Sequence, residues 1–127
     1  MIVEITKLNK ISEKIISCAI EVHKELGPGL LENVYQKALC IELGLNGIKH
    51  EAEKFIKVAY KNHEVGIYQA DIIVEDKIVI ELKSTERDNP LFEAQLLSYM
   101  KLGGYQLGLL LNFNKKYLKD GLQRIIL

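Results

Sequence analysis

The 127-residue sequence has no tryptophan, two prolines, two cysteines and two arginines, and its charges cancel, with 17 Lys and Arg against 17 Asp and Glu. Each shortage excludes something. No run of about 18 apolar residues occurs, so no membrane-crossing helix is expected. The segment Met1–Lys10 carries Glu4 and lacks an apolar stretch, so it is not read as a signal peptide. Cys18 and Cys40 fall in helix-like segments without C-x-x-C spacing. They are expected to be reduced core residues of a cytoplasmic protein, neither a disulfide nor a metal site. Zero net charge withholds the general attraction that draws basic proteins to nucleic acid. With Arg87 and Arg124 the only arginines, bidentate recognition of guanine or phosphate is poorly supplied. His23, His50 and His63 show no ligand spacing and are read as structural or surface residues. No nucleophilic triad is visible, and Gly27-Pro28-Gly29 lacks the Lys-Ser/Thr of a P-loop.

What the chain does contain is enough apolar residue, 48%, to form a core at this length. With no low-complexity stretch or linker, residues 1–127 read as one domain, and disorder is excluded. Ile11, Ile15, Ala19, Val22 and Leu26 recur at helical spacing and predict a helix from about Asn9 to Leu26, stopped by Gly27-Pro28-Gly29. A second helix is predicted from about Leu31 to Leu43, with Glu32 in its first turn, where the helix dipole favours a carboxylate. Strands are predicted over Phe55–Tyr60, Val65–Glu75 and Lys77–Lys83, with a turn at Asn62-His63-Glu64. Asn89-Pro90 marks a helix start, and that helix is expected to end at Gly103-Gly104. Gln106–Phe113 is almost continuously apolar and predicts a strand buried on both faces, with Gly121–Leu127 as an optional edge strand. The order α-α-β-β-β-α-β(-β) gives an α/β (α+β) fold, a mixed central sheet flanked by helices.

The chemistry is concentrated in Ala70–Lys83. Side chains alternate along a strand, so Glu81 and Lys83 share a face with Val79. If Glu75-Asp76-Lys77 is a three-residue loop, Val74 pairs with Ile78 and Asp71 lies opposite Glu81 on the same face. A two-residue loop would send the two carboxylates apart. Paired acids repel unless a cation sits between them, and carboxylate oxygens suit a hard ion such as Mg²⁺. Lys83 could then position a water or stabilise charge on a phosphate. The plainer alternative is a solvated strand face with a surface ion pair, worth about 0–1 kcal/mol. Glu32 and Tyr35 share a helical face, either as a dipole acid and a packing tyrosine or with Glu32 reaching the Asp71–Glu81 pair. Gln95 lies beside the Phe92, Leu96, Tyr99 stripe, either facing the sheet or on the helix flank.

The run Gly29-Leu30-Leu31-Glu32-Asn33-Val34-Tyr35 matches G-x-x-E-x-x-Y. Together with Asp71, Ile80-Glu81-Leu82-Lys83, Glu93–Tyr99 and Gly108–Phe113, it resembles the GxxExxY proteins, placed in the PD-(D/E)xK nuclease-like superfamily. The resemblance runs from about Ile11 to Leu127 and implies a restriction-endonuclease-like core. It also implies Asp71 and Glu81 as ligands of Mg²⁺ or Mn²⁺, Lys83 as the catalytic lysine, Glu32 as an additional acid and Gln95 as the polar residue on the following helix. The implied activity is hydrolysis of phosphodiester bonds in DNA, or in RNA. Ala70 departs from the proline of the superfamily name, and Gln69 stands where an arginine contact to phosphate would be unsurprising. Neutral charge and scarce arginine favour an alternative, a non-catalytic nuclease-fold module that binds nucleic acid or a protein. A core this small has little room to wrap a duplex, so a homodimer is expected.

Overall fold

The computed structural model describes residues 2–127, with side chains from Glu4 onward. In chain order the elements are α1 (Ile2–Leu26), α2 (Glu32–Leu45), β1 (His50–Tyr60), β2 (His63–Val74), β3 (Ile78–Lys83), α3 (Pro90–Gly103), β4 (Leu107–Asn112) and β5 (Leu122–Ile126). A short 3₁₀ turn, Leu118–Gly121, precedes β5. The five strands lie side by side in chain order, antiparallel except for the β3–β4 pair, which is parallel. Only that parallel pair needs a crossover, and α3 supplies it. This is the mixed sheet the sequence predicts.

Helices cover both faces of the sheet. Ile72, Ile80, Leu82, Leu109 and Leu111 pack under α1 and α2 against Ile15, Ala19, Leu39 and Leu43. Ile73, Val79 and Leu110 pack under α3 against Leu96 and Met100. With cover on both sides, β3 and β4 are buried almost throughout, which explains their continuous apolar runs. Local chemistry sets the element ends. The Asn89 side chain caps α3 by accepting from the Leu91 amide at 2.9 Å, with Pro90 following as the first helical residue. Gly104, at φ 76°, closes the same helix in the left-handed region.

Several boundaries differ from expectation. Helix α1 extends back to Ile2, beyond the clear apolar periodicity that starts near Asn9. Strand β1 starts at His50 where Phe55 was expected, because the polar His50–Lys54 run lies on an exposed edge and shows no alternation. The β1–β2 turn is Lys61-Asn62, at φ 48° and 67°, so His63 and Glu64 already belong to β2. The 3₁₀ turn before β5 is an addition. Cys18 is buried, Cys40 half-buried, and both are free. His23 is buried with its Nε2 2.8 Å from the Lys115 carbonyl, and no described helix is long and apolar enough to cross a membrane.

At Gly108 the side chains of α3 press closely on the sheet: a Cβ there would come within 2.6 Å of Met100 Sδ and 3.1 Å of Leu96 Cδ2. Both neighbours are fully buried, so any shift must be taken up by the surrounding core. Gly108→Ala is expected to destabilise the fold by about 1–3 kcal/mol through overpacking. The measurement is the urea midpoint, which should fall with an unchanged slope.

Candidate active site

Strand β2 is twice as long as β3 and pairs with it only through Ile72↔Ile80, Ile73↔Val79 and Val74↔Ile78. The turn between them is the three-residue Glu75-Asp76-Lys77, closed by the Lys77 amide on the Val74 carbonyl at 2.9 Å. This is the register that sets Asp71 opposite Glu81. Beyond Ile72 the two strands part. The Leu82 amide donates to Asp71 Oδ2 at 2.8 Å, and the Asp71 amide points to Glu81 Oε1 at 3.4 Å. Side-chain oxygens thus take over where strand-to-strand pairing stops, and the fork holds two carboxylates. On the far side of β2, Ala52 pairs with Ile72 and Lys54 with Ala70. Glu53, between them, is unpaired at φ 56°, so the edge strand is irregular at the same level.

Burial dominates the electrostatics. Glu81 is 8% exposed. Burial, with the Asp71 carboxylate beside it, pushes its carboxyl from 4.5 up to about 7, against the opposing pull of hydrogen bonds from Tyr68 and the Asp71 amide. Asp71 is also raised, first by burial and then by the charges of Glu32 and Glu53, while the Leu82 amide and Lys83 oppose the shift. A carboxyl that costs this much to ionise favours a nearby cation, because positive charge removes the penalty.

Glu32 is the first residue of α2 and is exposed, with its charge acting on Asp71. Its placement comes from the preceding loop. Tyr35 is fully buried, stacks on Phe113 at 4.5 Å, donates from its hydroxyl to the Gly27 carbonyl at 2.5 Å and accepts from the Leu30 amide at 3.1 Å. Gly29 sits at φ 98°, a conformation that favours glycine in this bend. The G-x-x-E-x-x-Y run is therefore a loop-to-helix unit whose tyrosine fixes the turn that presents the acid.

Lys83 lies at the end of β3 with its ammonium 4.5 Å from the Phe92 ring centroid. Its charge acts on both Asp71 and Glu81, yet among the described residues it makes no ion pair with either. Gln95 is half-buried on α3, and its side chain makes no hydrogen bond among the described residues. The structure thus brings the charges of Lys83 and Glu32 to bear on the hydrogen-bonded Asp71–Glu81 pair, and among the described residues no hydrogen bond ties the Gln95 side chain to it.

Three neighbours are absent from the sequence reading. Gln36 Nε2 donates to the Asp71 carbonyl at 2.9 Å, Ser84 Oγ donates to the Leu30 carbonyl at 2.5 Å, and the Tyr68 hydroxyl donates to Glu81 Oε1. Gln36 has a readable signal, since it lies one helical turn after Glu32 on the same face. Ser84 and Tyr68 have none, because their partners are distant in sequence.

Among the described residues, no group of three His, Cys, Asp or Glu side chains is arranged to hold a metal ion. The Asp71–Glu81 pair still suits Mg²⁺ or Mn²⁺. Such ions accept one or two carboxylates and fill their remaining positions with water or substrate oxygen. The profile of the PD-(D/E)XK nuclease superfamily matches residues 9–125. No curated protein and no solved structure gives a match.

The raised Glu81 carboxyl makes stability depend on pH. The folded chain holds this proton up to about pH 7, whereas the unfolded chain releases it near 4.5. The group's stabilising contribution is full below that lower value and is lost as pH rises through 7. Glu81→Gln, neutral at every pH, is expected to gain on the parent protein by up to about 3 kcal/mol between pH 4 and pH 8. Urea unfolding of both proteins at the two pH values checks this. Parallel pH dependence in the pair would contradict the proposed Glu81 ionisation.

Proposed function

Because the chain belongs to the PD-(D/E)XK nuclease superfamily, we propose that it hydrolyses phosphodiester bonds of DNA with the help of Mg²⁺ or Mn²⁺. The observation that carries this reading is the fork between β2 and β3, which brings two raised carboxylates and a lysine to one sheet end. Nucleases of the superfamily generally depend on a divalent metal. In this reading Asp71 and Glu81 hold the ion. A bound cation would activate water and neutralise charge on the phosphate.

The chain's own groups have separate tasks. The Leu82 amide holds the Asp71 carboxylate, and Gln36 holds the Asp71 carbonyl, so this acid keeps its place. Lys83 offers positive charge to the phosphate, with Phe92 supporting its side chain from below. Electrostatic stabilisation of this kind needs a preorganised donor, and the ring fixes one end of a flexible chain. Glu32 supplies an additional acid from α2, able to accept a proton from an attacking water. In this reading Gln95, half-buried on α3, would be the polar residue that the helix offers to the substrate. We read residues 1–127 as one such nuclease unit, acting in the cytoplasm. A second copy would give it the reach to embrace a duplex.

The test uses supercoiled and linear DNA with the full chain, with and without Mg²⁺ or Mn²⁺. Cleavage is expected only with metal and should vanish with a chelator. Asp71→Asn and Lys83→Ala are each expected to lower the rate by about a hundredfold or more. Glu32→Gln should have a smaller effect in the same direction. Cleavage that survives in both Asp71→Asn and Lys83→Ala would sink the assignment. Binding without turnover in the parent protein would identify a non-catalytic module.

A further inference from the structure

The phenol of Tyr68 reaches across the fork. Tyr68 belongs to the stretch of β2 that has already left β3, where it pairs with Ile56 of β1. Its hydroxyl nevertheless donates to Oε1 of Glu81 on β3. The Asp71 amide points to that same oxygen at 3.4 Å. Among the described residues, both hydrogen bonds to this carboxylate end on Oε1, which leaves Oε2 as the oxygen open to a cation.

The phenol is itself supported. Its ring stacks on Tyr99 of α3, at an interplanar angle of 12°. Phe92, two helical turns earlier on the same helix, carries the Lys83 ammonium. One face of α3 therefore backs both site side chains of β3, Lys83 directly and Glu81 through Tyr68. Gln95 lies between the two aromatics, one turn before Tyr99, on the helix that does this work.

We propose that Tyr68 is a positioning residue: it fixes one oxygen of Glu81 so that the other is presented to a divalent cation, and Tyr99 holds the phenol in place. The inference rests on the reading of Asp71 and Glu81 as metal ligands. Partners that orient a ligand in this way commonly contribute about ten- to a hundredfold in metal affinity. A freely rotating carboxylate would instead have to be ordered when the ion arrives, at a cost in binding. In this role Tyr68 acts through Glu81.

Mn²⁺ titration of the full chain, followed by thermal unfolding, separates the possibilities. The parent protein is expected to gain stability with Mn²⁺, because binding to the folded state alone must raise its melting temperature. Tyr68→Phe keeps the ring and its stack and removes only the donor. Its apparent Mn²⁺ Kd is expected to rise by about tenfold, while Tyr99→Phe, which also keeps the stack, should stay within about twofold of the parent. The Mn²⁺ concentration for half-maximal DNA cleavage should move by the same factor in Tyr68→Phe, with the rate at saturating Mn²⁺ little changed. A Tyr68→Phe protein with a lower metal-free melting temperature and parental Mn²⁺ affinity would show a packing tyrosine and overturn the proposal. No Mn²⁺ effect on the parent itself would overturn the metal reading of Asp71 and Glu81, and this inference with it. Parental binding that Tyr68→Phe leaves intact would overturn this inference alone.

Discussion

The hydrogen bond from the Leu82 amide to the Asp71 carboxylate occupies a place where a regular ladder would have a main-chain acceptor. A buried amide cannot be left unpaired without a cost of about 1–3 kcal/mol, so β2 can leave β3 only if something replaces the missing carbonyl. Asp71 does so with its own side chain. The same bond then fixes the acid beside Glu81, opens the fork and lets Tyr68 reach across it. Fold and site share one substitution of partner.

Glu81 is the expensive part of this arrangement. An acid in the interior of a central strand is tolerated when hydrogen bonds and countercharge offset its desolvation. Here the offset is incomplete, and the carboxyl is pushed up to about 7. The structure around it is otherwise well satisfied: among the described residues only the Ser12 hydroxyl is buried without a partner. The unrelieved cost falls on the Asp71–Glu81 pair, both of whose carboxyls burial raises.

Much of this was legible in the sequence because its signals are local. The Asn89-Pro90 start of α3, the Gly27-Pro28-Gly29 stop and the unbroken apolar run of β4 each depend on neighbours in the chain. The decisive local feature is the three-residue Glu75-Asp76-Lys77 loop, since one residue more or less would reverse the face of every side chain on the strand. What escaped is non-local. The bond from Ser84 to Leu30 spans 54 residues, and that from Gln36 to Asp71 spans 35. No periodicity encodes such a meeting. The edge segment His50–Lys54 escaped for the opposite reason: with little burial, it carries no pattern to read. Gln95 flanks an apolar stripe, and a stripe does not say whether a flanking residue finds a partner.

The sheet's strand order has a consequence in time. Because the strands lie in chain order, the β1–β2 and β2–β3 pairs close over the tight turns Lys61-Asn62 and Glu75-Asp76-Lys77, and such contacts form fast. The tie between the α2 loop and the end of β3 closes over a much longer span, which is entropically harder to bring together early. A chain with its hairpins made but α2 undocked would already align Asp71 with Glu81 and still lack Glu32. The set of acids is therefore complete only once the sequence-distant contacts that dock α2 have formed.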